Sequence, residues 1–236
     1  MKHYPVKKIF FCLVMLFLFA VLLYKAFFYF DKKSEEKQFT MHKHTTRLSP
    51  DEMSNIEEGD FILRRGFGFI SDYISKNLNN GAIDVTHAGI LVKMDNKWHV
   101  IHSLSSDVSA IDGMQIQPLS DFLSYSAPGK IIITSPKNCT TALRKNISYL
   151  AQNYLSKKIP FDHKGKIDDA NEFFCTELIW QILEKDLHHI NLPKETEARR
   201  KLLYSMQSMY SSSYFDVKIN QYQQQECRIN GDKFTL

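Results

Sequence analysis

Short-spaced metal-ligand pairs are missing from this chain. Neither HExxH nor CxxC occurs in its 236 residues, which removes the commonest zinc signatures. Acidic residues are missing from the first thirty positions, where Lys2, Lys7, Lys8 and Lys25 account for the whole net charge of +4. The remaining 206 residues carry 26 basic and 26 acidic groups. A domain so balanced lacks the cationic footprint of a nucleic-acid binder, so no nucleic-acid partner is expected. Internal repeats are also absent. A composition of 44% hydrophobic and 24% charged residues excludes disordered and collagen-like chains. What remains is one globular domain, long enough to bury roughly 70% of its unfolded surface, behind an unusual N-terminus.

That N-terminus is an apolar run. Residues 9–24 (IFFCLVMLFLFAVLLY) are uncharged, Lys25 interrupts, and Ala26–Phe30 resumes. The 22 residues from 9 to 30 meet the ~20 that a helix needs to cross a bilayer. Lys2, Lys7 and Lys8 before the run hold the N-terminus in the cytoplasm, and Lys25 can snorkel to the far interface. No small-x-small cleavage site follows, so residues 1–30 read as an uncleaved signal anchor rather than a cleaved peptide. The expected location is the cytoplasmic membrane, single-pass, with residues 31–236 exported. Residues 31–48 (DKKSEEKQFTMHKHTTRL) lack an apolar period and read as a polar tether, with His42 and His44 solvated in it. Cys12 lies in the run. Cys139, Cys175 and Cys227 enter an oxidising compartment as an odd set, and a Cys139–Cys227 pairing leaves Cys175 free.

The domain, 49–236, reads as α+β. Ser49-Pro50-Asp51-Glu52 is a capped helix start, and that helix runs to about Ile56. Phe61–Arg65 is a strand, and Phe67–Leu78 is a helix with a turn at Asn79-Asn80-Gly81. Val85–Met94 and Trp98–Leu104 form a hairpin. A short strand near Gln115, a strand at Ile131–Thr134, and helices over 140–156, 173–185 and 194–210 complete a small, largely antiparallel sheet packed with helices.

Three residues could carry chemistry. His87 sits in an apolar strand, Thr86-His87-Ala88-Gly89-Ile90. Burying an imidazole is costly unless both nitrogens find partners, so it is either a satisfied core histidine or a base. Cys175 sits in the first turn of the 173–185 helix, where the helix dipole lowers a thiol pKa by roughly one unit or more. The N–H groups there can also form an oxyanion hole. The bland alternative is a buried small hydrophobe. His102 is placed by strand parity. If Asp95-Asn96 make a two-residue turn, opposed residues sum to 191, and His102 lies opposite Gly89 and one diagonal step from His87. Cys175 as nucleophile, His87 as base and His102 as orienter make a Cys–His–polar set. The same three residues could instead ligate zinc, or the domain could bind without catalysis. No cofactor is expected.

These residues carry a family resemblance. Glu58-Gly59-Asp60-Phe61-Ile62-Leu63-Arg64-Arg65-Gly66 is similar to the opening strand of the YiiX/YebB-like, NlpC-type cysteine hydrolases. Thr86-His87-Ala88-Gly89-Ile90 is similar to their histidine strand. Ile159-Pro160-Phe161-Asp162 with Phe174-Cys175-Thr176-Glu177-Leu178-Ile179 is similar to their nucleophile region. The order, histidine before cysteine, is that of a circularly permuted papain-like fold. The resemblance implies Cys175 as nucleophile, His87 as base and His102 in the third position, where many relatives carry an acid. Glu177, two residues beyond the cysteine, is expected to point away. It also implies hydrolysis or transfer at an amide or ester carbonyl. For an anchored, exported domain the expected partners are the membrane and a cell-envelope substrate, peptidoglycan peptide or lipid acyl group.

Overall fold

The apolar run is helical and does not stop at its polar boundary. In the computed structural model, which describes residues 6–77, 83–167 and 170–223, helix α1 spans Val6–Met41. The expected tether over 31–48 is therefore corrected: its first eleven residues extend the same helix. The reason is a stripe at helical spacing that an apolarity count misses. Tyr24, Phe28, Asp31, Glu35 and Phe39 share one side of α1, and His42 follows in the turn after it. Tyr24 Oη donates to Asp107 Oδ1 at 2.6 Å. Asp31 is buried and accepts from the N–H groups of Phe69 and Ile70. Phe39 packs on Tyr125 and His42 stacks on Phe67. Just beyond, the buried Arg47 guanidinium donates to the Ser126 carbonyl at 2.6 Å.

The capping box forms as the sequence predicts. Ser49 Oγ accepts from Glu52 N at 3.2 Å and Glu52 Oε2 accepts from Ser49 N at 2.7 Å, opening α2 (Pro50–Ser54). Strand β1 (Phe61–Gly66) and helix α3 (Gly68–Asn77) follow. Then β2 (His87–Met94) and β3 (Lys97–Leu104) form the hairpin. Asp95 and Asn96 both take left-handed backbone, φ 50° and 60°, the turn whose twist suits antiparallel strands. Ile90 pairs with Ile101 and Leu91 with Val100, the register a two-residue turn dictates.

The chain continues through β4 (Gly113–Pro118), α4 (Leu119–Ser124), β5 (Ser126–Pro136), α5 (Thr141–Ser156) and α6 (Cys175–Trp180). It then passes a π turn at Gln181–Asp186, α7 (Thr196–Tyr204), a 3₁₀ turn at Met206–Tyr210 and β6 (Phe215–Asn220). The sheet order is β4-β3-β2-β1-β5-β6, antiparallel throughout. One face buries Phe61, Leu63, Ala88, Ile90 and Ile101 with Leu178 and Ile179 of α6 and Ile147 of α5. The other buries Ile62, Leu91, Val100, Ile131 and Ile133 with Leu119 and Phe122 of α4.

The helix expected over 173–185 is six α-helical residues and a π turn. The helix expected over 194–210 breaks at Ser205. There Thr176 Oγ1 donates to the Leu203 carbonyl and Ser208 Oγ to the Leu202 carbonyl, taking acceptors that a longer helix would use itself. The turn expected at Asn79-Asn80-Gly81 and the partner thiol Cys227 lie outside the described residues.

Candidate active site

Strand β2 begins at His87, so this imidazole stands at the end of the sheet, where both faces open onto one cleft of about 640 Å³. His87 Nε2 lies 3.0 Å from His102 Nδ1, with the rings edge to face at 5.0 Å. Gly89 makes this pairing possible. A Cβ there would come within 2.4 Å of Val100 Cγ1 and 3.3 Å of His102 Cβ. Phe122 closes the other side, 5.8 Å from His87 and 5.4 Å from His102.

Cys175 is the first residue of α6, which follows an extended Phe174. The upstream loop is pinned by the N–H of Phe173 to the Pro160 carbonyl at 3.0 Å. Asp162 pins it further by accepting from the N–H groups of Lys164 and Gly165, each at 2.8 Å. Ser103 Oγ, next to His102, donates to the Phe173 carbonyl at 2.6 Å and ties the histidine strand to the cysteine segment. The backbone N–H groups of Ala88, the neighbour of His87, of Thr176 and of Cys175 itself favour charge on the Cys175 sulfur. Cys175 and His87 thus line the same cleft. Thr176 and Phe174 line it too, whereas Glu177 is buried away from it.

Electrostatics at the site are set by burial. Burial, then the neighbouring His102 and Arg64, hold His87 well below the ordinary imidazole value. Burial and Arg64 push His102 down to about 3 against an opposing contact from Gln117. His102 Nε2 and Gln117 Oε1 are buried without partners of normal geometry, and they are the two ends of that contact. Burial pushes the Cys175 thiol up to about 11, outweighing the N–H groups of Ala88, Thr176 and Cys175 and the Arg64 cation. The lowered thiol expected from the helix start is therefore corrected. Desolvation of the thiolate exceeds what one short helix turn returns.

Arg64 and Glu35 escaped the sequence reading. Arg64 pairs across the sheet with His87. It is buried with its guanidinium 4.3 Å from the Phe122 ring and donates to the Phe122 carbonyl at 2.8 Å. An arginine in an apolar strand was the available signal. Glu35 of α1 faces it across the cleft, and burial raises the Glu35 carboxyl although Arg64 opposes. Among the described residues, no group of three His, Cys, Asp or Glu side chains is arranged to hold a metal ion.

No curated protein matches the chain. The crystal structure of the metalloprotein YiiX from Escherichia coli O157:H7 is similar in fold, with a TM-score of 0.53 at 16% identity, over 70% of this chain and 98% of that one. The family model that matches residues 55–227 is that of the permuted papain-like amidases YaeF/YiiX, the C92 family. The hairpin histidine ahead of the helix-start cysteine follows that permuted order, and the chain belongs to this family.

Proposed function

We propose that the protein is a membrane-anchored cysteine hydrolase acting at an amide or ester carbonyl of a cell-envelope substrate. The observation that carries this reading is the His87 imidazole at the end of the sheet, held by the buried His102 and sharing one cleft with Cys175. With Nε2 engaged by His102, His87 has Nδ1 left for the thiol. That requires His87 to carry its proton on Nε2 and His102 to accept at Nδ1. His102 then carries its own proton on Nε2, toward the Gln117 oxygen. One chain of contacts so fixes both tautomers.

Burial disfavours charge on both groups, so the resting pair is a thiol and an unprotonated imidazole. His87 takes the thiol proton as sulfur attacks the carbonyl carbon, and the oxyanion meets the N–H groups around Cys175 and the Arg64 charge. The imidazolium then protonates the leaving alcohol or amine. Water, activated by the same base, splits the thioester and restores the thiol. An alcohol or amine in place of water would make the reaction a transfer.

The membrane reading rests on α1, an apolar helix of a length to span, which also furnishes Phe28, Asp31 and Glu35 to the cleft wall. A helix that builds part of the site is retained rather than cleaved. The test is Cys175→Ala in the full chain, assayed on a short-chain soluble ester in detergent. Turnover is expected to vanish while the circular dichroism spectrum is unchanged; retained turnover overturns the reading.

A further inference from the structure

We propose that the substrate is an acyl lipid taken laterally from the bilayer, an inference that rests on the hydrolase reading above. The argument starts from depth. A hydrocarbon core of about 30 Å takes some 20 helical residues at 1.5 Å each, so a crossing that begins at Lys8 ends near Phe28. The domain meets α1 over that same stretch. Tyr24 Oη bonds Asp107 at 2.6 Å, and Phe27 meets the Phe69 ring at 6.3 Å. Phe28 is itself part of the cleft wall. Loop 105–112 and the first turn of α3 therefore sit in the interface, on the exported side, and no linker separates the cleft from the lipid.

The cleft rim fits that placement. Phe67, Ile70, Tyr73, Ile74 and Val108 line it, with Tyr73 63% exposed, and Phe69 stands 43% exposed beside it. On a water-facing surface such residues are a liability, whereas at this depth they have lipid to contact. The polar end of the cleft holds Arg64, His87 and Cys175. An acyl chain entering past Phe28 brings its carbonyl to that end. The Cys175 sulfur bonds the acyl carbon, the bond to the ester oxygen breaks, and His87 passes the thiol proton to that oxygen. The chain stays as a thioester until water releases it as a carboxylic acid.

The experiment uses the full chain in nanodiscs of phosphatidylethanolamine and phosphatidylglycerol. Depth is read without catalysis: Phe69→Trp fluorescence is expected to be quenched by brominated acyl chains. Chemistry is read by intact mass, with a fatty-acyl adduct expected on the wild type and absent from Cys175→Ala. Phe69→Asp is expected to lower lipid turnover by about tenfold with short-chain soluble ester turnover unchanged. An unquenched Phe69→Trp overturns the proposal. So does an adduct from soluble peptidoglycan peptides in place of one from lipid, although the hydrolase reading then stands. Quenching without an adduct from any carbonyl compound overturns the hydrolase reading, and the lipid assignment falls with it.

Discussion

At position 102 a neutral imidazole stands where a carboxylate would stabilise an imidazolium. His102 is held down to about 3, so it orients His87 through Nδ1 without adding charge. His87, already depressed by burial and Arg64, stays neutral through the physiological range. The acidic limb of kcat/KM is therefore expected below pH 6.5, with a plateau running toward the thiol near 11. His102→Asp places a negative charge beside His87 and is expected to move that limb up by about one unit or more. An unmoved limb would show that the two side chains are not coupled. His102→Ala removes the orienting acceptor and is expected to lower kcat on the order of 10²-fold, with His102→Asn recovering part of the loss because its amide oxygen can accept. Equal rates for the Ala and Asn variants would reduce the contact to packing.

Among the elements, α3 depends on a cap from far away in sequence. Asp31 Oδ1 accepts from the N–H of Phe69 and, at 3.2 Å, of Ile70, two of the donors that a helix leaves open at its start. Asp31→Ala is expected to cost about 1–2 kcal/mol and to raise hydrogen exchange over residues 68–77. Exchange unchanged there would mean that α3 is held by packing alone. The same contact shows where the sequence stopped being readable. The hairpin register and the His87–His102 contact could be derived because a two-residue turn and a period of two are local rules, and Asp95-Asn96 obey them. The capping box was equally local. Asp31 and Glu35 could not be derived, because α1 reads as one apolar run followed by charge. Which side of it meets the domain is decided by partners 39 to 83 residues away. β6 was missed for a related reason. Phe215, Val217 and Ile219 alternate, but their strand exists through pairing with β5. The direction of the thiol's shift is not legible locally, because dipole and burial oppose each other and only the fold says which is larger.

Across the whole molecule, two buried, uncharged imidazoles in contact make stability depend on pH. His102 is fully buried with a pKa of about 3, against about 6.5 in an open chain. Below pH 6.5 the unfolded chain takes up the proton and the folded one does not. Stability is thus complete above 6.5 and is lost as pH falls toward 3, by on the order of 5 kcal/mol for this one group. His87 is depressed for the same reason and adds loss in the same direction. Against a typical total of about 5–15 kcal/mol, the domain is expected to melt far more easily at pH 4 than at pH 7.5. The check is a series of thermal melts of the full chain in detergent from pH 7.5 to 4, beside His102→Gln. That side chain cannot titrate, so its melting temperature should fall less steeply with acid even if it begins lower. Parallel slopes for the two proteins would mean that His102 is not the neutral, buried imidazole on which the proposed resting state depends.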